Sequence, residues 1–95
     1  MLTLPIKKKW FDMIKSGEKK EEYREIKQYY KARFATLGVG DNSKYYILFR
    51  NGYSKNSPSI KCEVEINQGI GNPEWGAEPS KMYYVLKILS VEEIN

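Results

Sequence analysis

The chain contains no histidine and a single cysteine, Cys62. The first absence removes the side chain that titrates nearest neutral pH and the commonest metal ligand. Neither a Ser-His-Asp triad nor a Cys/His zinc site can be assembled within it, and no metal or cofactor is expected. A lone cysteine rules out an internal disulfide. No long apolar run occurs, so no transmembrane helix or secretory leader is read; Met1 to Pro5 is too short and runs on into three lysines. The expectation is a cytoplasmic protein with no membrane partner. Repeats, linkers and low-complexity tracts are also missing.

What is present fits one folded domain over residues 1–95. A domain of this size buries roughly 60–65% of its unfolded surface, so its core is modest. Hydrophobic residues make up 41% of the chain, and eight tyrosines stand beside three Phe and two Trp. Tyrosine packs like Phe but keeps a hydroxyl for water or a ligand. The net charge is +4, and it is unevenly spread. Residues 1–33 hold ten Lys or Arg against five Asp or Glu; the remainder holds six against seven. The basic first third is either an ordinary solvated face or an attraction for anionic partners.

Leu2, Leu4 and Ile6 alternate with Thr3 and Pro5 and predict a short strand, at a sheet edge because of Pro5. Ile6, Trp10, Met13 and Ile14 recur at helical spacing with Phe11 beside them, which predicts a helix over 7–16 stopped at Gly17. A second stripe, Ile26, Tyr30 and Phe34 with Leu37 beyond, predicts a helix over about 25–35. Tyr45 to Phe49 reads as a strand buried on both faces, and Asn51-Gly52 as a turn. Ile60, Cys62, Val64 and Ile66 alternate with polar residues and give the clearest strand. Gly69 to Pro73 is expected to break it. Met82 to Leu89 reads as the last strand, apolar on both faces except at Lys87, with 90–95 a polar end. The fold class expected is α+β, a small β-barrel flanked by two helices.

Residues 18–24 contain no aliphatic side chain, and six of the seven are charged. In a strand Glu22 and Arg24 face the same side, where they can hold each other and present a guanidinium fork. Lys19 joins them only through a turn or bulge after Gly17. Its pKa then depends on whether desolvation outweighs the attraction of the carboxylate. The alternative is a solvated ion-pair lattice.

The spacing Gly-x-Lys-x-x-Glu-x-Arg, met at Gly17, Lys19, Glu22 and Arg24, resembles the signature of the ASCH superfamily. A helix before the motif and strands after it are similar too. The resemblance implies a PUA-like fold with the motif lining a cleft, and RNA or a nucleotide-like ligand as the partner. It also implies a second reading, since some ASCH proteins are amidohydrolases that deacetylate acetylcytidine and some relatives show ribonuclease activity. In those hydrolases the motif lysine is catalytic, a role that falls on Lys19. They carry Thr where Glu22 stands, so Glu22 would serve as the lysine's partner or as the base. They also use a further Glu, for which Glu74, beside Trp75, is preferred over Glu63, Glu65 and Glu78.

Arg50 at a strand end and Tyr53 beyond it can form a second wall, meeting phosphate and stacking on a base, or be a plain hairpin tip. Trp75, in a Gly- and Pro-rich loop, reads as a ligand contact or a lid. Tyr23 can stack on a base or pack inward. Trp10 and Tyr30 read as core, Lys7 to Lys9 as solvated surface, and Cys62 as a buried, inert thiol.

Overall fold

The computed structural model describes residues 1–94. Five strands form one sheet: β1 (Leu2–Ile6), β2 (Glu21–Glu25), β3 (Lys44–Asn51), β4 (Ser59–Ile70) and β5 (Met82–Glu93). Helix α1 (Lys8–Ser16) follows β1, and α2 (Gln28–Arg33) follows β2. The sheet order is β1-β3-β4-β5-β2, with β1 parallel to β3 and every other pair antiparallel. The sheet curls into a half-barrel, so the architecture is α+β as expected. It is open, not closed: β1 and β2 are its two edges.

Pro5 lies on edge strand β1, where its missing N–H costs no ladder bond. Ile6 ends that strand and is not part of the helical stripe. The stripe of α1 buries Phe11 and Ile14, and Gly17 closes the helix at φ 87°, donating its N–H to the Ile14 carbonyl. A left-handed residue here suits glycine. The chain reverses so tightly that the Lys19 N–H donates to Met13 O, and β2 begins two residues later.

The core comprises Leu4, Ile6, Phe11, Ile14, Phe34, Ile47, Phe49, Ile60, Cys62, Val64, Ile66, Tyr84 and Leu86. Burial pushes the Cys62 thiol up to about 12, consistent with an inert packing role. Three expectations are corrected. Strand β3 is buried on one face only: Ile47 and Phe49 point in, while Tyr46 is half exposed. Strand β4 runs through Gly69 to Ile70, because Gly69 and Ile70 pair with Tyr83 and Met82. Strand β5 continues past Leu89 to Glu93, since Ser90–Glu93 still pair with Ile60–Glu63 after an irregularity between Glu63 and Val64. Such a bulge sharpens the local twist and helps the sheet curl. Asn95, assigned to the polar end, lies outside the described residues.

Helix α2 is shorter than the stripe suggested and buries none of its own residues. Phe34, immediately after it, does the anchoring: it is 2% exposed and meets the Tyr84 ring edge-on at 5.0 Å, with Tyr30 stacked beyond. Replacing Phe34 with Ala should therefore cost about 3–5 kcal/mol in urea unfolding. It should also release Tyr30 from the sheet, read as broadening of the Tyr30 ring resonances in an NMR spectrum of the folded variant.

Candidate functional site

The register of β2 on β5 decides which motif side chains turn inward. Glu22 pairs with Leu86 and Arg24 with Tyr84, and both partners face the core. Two charged residues of a near-continuous charged run thus point into the half-barrel, where Glu22 is 6% and Arg24 9% exposed. Lys19 is 1% exposed and reaches them through the reversal after Gly17, as the spacing required. Its Nζ lies 3.3 Å from Glu22 Oε1, and Arg24 Nη2 lies 2.7 Å from Glu22 Oε2. One buried carboxylate therefore bridges two buried cations.

Each cation also ties down a distant segment. Lys19 Nζ donates to the Trp75 carbonyl and sits 4.9 Å from the ring centres of both Trp10 and Tyr23. Arg24 Nη2 donates to Pro5 O at 2.9 Å, and Nη1 to the Tyr30 hydroxyl at 3.1 Å. Pro5 is on β1, so Arg24 spans the gap between the two sheet edges. Burial holds the Lys19 ammonium below its usual pKa, because desolvation outweighs the attraction of Glu22.

Tyr23 turns to the opposite face, where its ring lies 5.7 Å from that of Tyr83. Its hydroxyl donates to Glu21 Oε1 at 2.6 Å and accepts the Asn72 N–H at 2.8 Å. Burial and the Glu21 carboxylate hold this phenol above the usual tyrosine range. Two side chains of one motif, Lys19 and Tyr23, thus clasp the loop carrying Trp75. Gly76 ends a 3-10 turn (Pro73–Trp75) at φ 102°, and a Cβ there would lie 3.0 Å from the Trp10 ring.

These elements surround a half-open cleft of about 680 Å³. Of the residues singled out from the sequence, Glu22, Tyr23, Arg24, Tyr53 and Trp75 line it. Three predicted members do not: Lys19, the expected catalytic group, is buried against the Trp10 and Tyr23 rings, and Arg50 and Glu74 also lie outside the lining. Arg50 follows core-facing Phe49, so alternation turns it to the outer face. Glu74 is exposed in the 3-10 turn and is not part of the lining. Conversely Trp10, Tyr30, Lys7, Lys8, Glu25 and Lys27 line the cleft, although Trp10 and Tyr30 read as core and Lys7 and Lys8 as plain surface. The available signal at Tyr30 was a hydroxyl inside an otherwise apolar stripe, which needs a polar partner. Among the described residues no group of His, Cys, Asp or Glu could hold a metal ion, and no helix is long and apolar enough to cross a membrane.

No family model, curated protein or solved structure matches the chain.

The site is a buried charge network with a depressed lysine at its end. Glu22→Gln leaves two buried cations without their counter-charge and should destabilise the fold by about 3–5 kcal/mol in urea. Lys19 gives a pH signature of its own. Its folded pKa lies below the unfolded 10.5, so between the two values the unfolded chain holds the extra proton. Stability from this site therefore rises with pH through that window, and the cost of the buried charge is fully present below it. The stability of wild type relative to Lys19→Met should climb as pH is raised from 7 toward 10, measured by urea midpoints. A flat difference would show that Glu22 offsets the desolvation.

Proposed function

We propose that this protein binds RNA or a modified nucleoside in the cleft, as an ASCH-type domain of PUA-like fold. The lining carries the reading: the aromatic side chains Trp10, Tyr30 and Tyr53 share one cleft with Lys7, Lys27 and Arg24. Any base offers a π-face to an aromatic ring, and phosphate is drawn to a cationic rim. The half-open shape suits a ligand that enters from solvent and keeps one side exposed. The Gly17, Lys19, Glu22 and Arg24 spacing supports the same family by resemblance.

A second reading, an amidohydrolase acting on acylated nucleosides such as acetylcytidine, is favoured by one observation. Lys19 is depressed by burial and lies 3.3 Å from Glu22, which suits a base or an electrostatic stabiliser. Against this stands its full engagement with Trp75 and Glu22, which leaves it walled behind two rings.

Titration with short single-stranded RNA, followed by tryptophan fluorescence, tests the first reading. Affinity should fall steeply with salt. Tyr53→Ala, at an 89% exposed hairpin position, should weaken binding by about 1–3 kcal/mol without affecting the fold. Release of acetate from acetylcytidine, lost in Lys19→Met, would instead make the hydrolase reading the correct one.

A further inference from the structure

We infer that Asn51 is the side chain by which the cleft selects its ligand, its amide meeting the Watson–Crick edge of an unpaired nucleobase. This rests on the nucleotide reading above and specifies which part of the ligand is read.

The pairing of β1 with β3 sets the position. On the inward face Leu2 stands beside Ile47, Leu4 beside Phe49 and Ile6 beside Asn51. The first two pairs are apolar, and Leu4, Ile47 and Phe49 are at most 1% exposed. The third sets an amide against Ile6 where the core gives way to the cleft, and both of its members line the cleft. An apolar side chain here would continue the core, and asparagine is a poor strand former.

The ordinary reasons for an asparagine before a turn do not apply. Asn51 remains in β3 and its backbone N–H donates to Pro58 O at 2.9 Å. The left-handed φ of the turn falls on Gly52, at 114°, so asparagine's tolerance of that conformation goes unused. Nor does the side chain close a turn of its own: its amide has no hydrogen-bond partner among the described residues.

Elsewhere in the lining the acceptors are taken. Glu22 is held by Lys19 and Arg24, and Glu25 by Lys27 and Lys81. The Tyr23 hydroxyl is shared between Glu21 and Asn72, and the Tyr30 hydroxyl accepts from Arg24. The lysines can only donate. Apart from the Tyr53 hydroxyl, on a residue 89% exposed, Asn51 alone offers the cleft an unused donor and acceptor together. A base edge presents a donor beside an acceptor, which a carboxamide matches with two parallel hydrogen bonds. A phosphate, offering acceptors only, would leave the Asn51 carbonyl oxygen unmatched. The Trp10 and Tyr53 rings in the same lining supply faces for the base to stack on.

The test compares the four ribonucleosides, and single-stranded RNA tetramers of the same bases, with uncharged counterparts methylated on that edge. These are N4,N4-dimethylcytidine, N6,N6-dimethyladenosine, 3-methyluridine and 1-methylguanosine, with affinities read by isothermal titration calorimetry. The best-bound base should lose about tenfold in affinity on methylation. Asn51→Ala should bind parent and methylated forms equally and keep the wild-type urea midpoint, since no hydrogen bond within the protein is lost. Asn51→Asp, equal in size but without the donor, should reorder the four bases. Asn56→Ala, exposed at the hairpin tip and outside the lining, should keep the wild-type discrimination. Equal binding of parent and methylated forms by the wild type, or discrimination that survives Asn51→Ala, overturns the role of Asn51 and leaves the cleft reading standing. Binding of none of the probes overturns both.

Discussion

The Glu22 carboxylate is the group on which the rest of this structure depends. It lies inside a half-barrel with no backbone ladder between its edge strands. Around it Lys19 and Arg24 are held at 3.3 and 2.7 Å. A buried ion survives only when paired and hydrogen-bonded. Each cation satisfies that condition twice over, once through Glu22 and once through a carbonyl of a remote segment. Arg24 thereby fastens the β1 edge, and Lys19 fastens the Trp75 loop. Ion pairs in low dielectric take over a closure that strand pairing does not supply.

This has a consequence for chemistry. A lysine that anchors a loop is not free to move a proton without releasing that loop. If Lys19 acts in catalysis, deprotonation weakens its donation to Glu22 and leaves Glu22 matched by Arg24 alone. The groups that can engage a ligand without disturbing the scaffold are the outer ones, Tyr53, Lys7 and Lys27. Binding at the rim and integrity at the floor are thus separable, which is why the two readings call for different side chains.

Much of this was legible in the sequence. The alternation at Ile60 to Ile66, the stop at Gly17 and the shared face of Glu22 and Arg24 all follow from local rules of period and cap. The errors have a common physical origin. Whether Tyr46 is covered, whether Arg50 reaches the cleft and whether Glu74 turns inward depend on neighbours far away in sequence. Likewise β5 runs on to Glu93 because β4 offers a partner, although Ser90, Glu92 and Glu93 have little strand character of their own. Trp10 and Tyr30 illustrate the reverse. Their spacing placed them on apolar faces, but only the approach of Lys19 and Arg24 made those faces walls of a cleft.

The charge balance of the interior is the last step. Glu22 carries one negative charge between two cations, so the buried trio holds a net positive charge at neutral pH if Lys19 remains protonated. Of the acids outside it, Glu25 is committed to Lys27 and Lys81, whereas Glu21 accepts from a neutral hydroxyl, keeps its charge and supports the Lys19 ammonium. An uncompensated positive charge in low dielectric is costly on its own, and an anion brought close to it relieves that cost. Desolvation depresses the Lys19 ammonium, and the carboxylates of Glu22 and Glu21 oppose it more than Arg24 adds to it. A scaffold that closes its open edge with two cations and one carboxylate thus draws on Glu21 as a further negative charge beside Lys19.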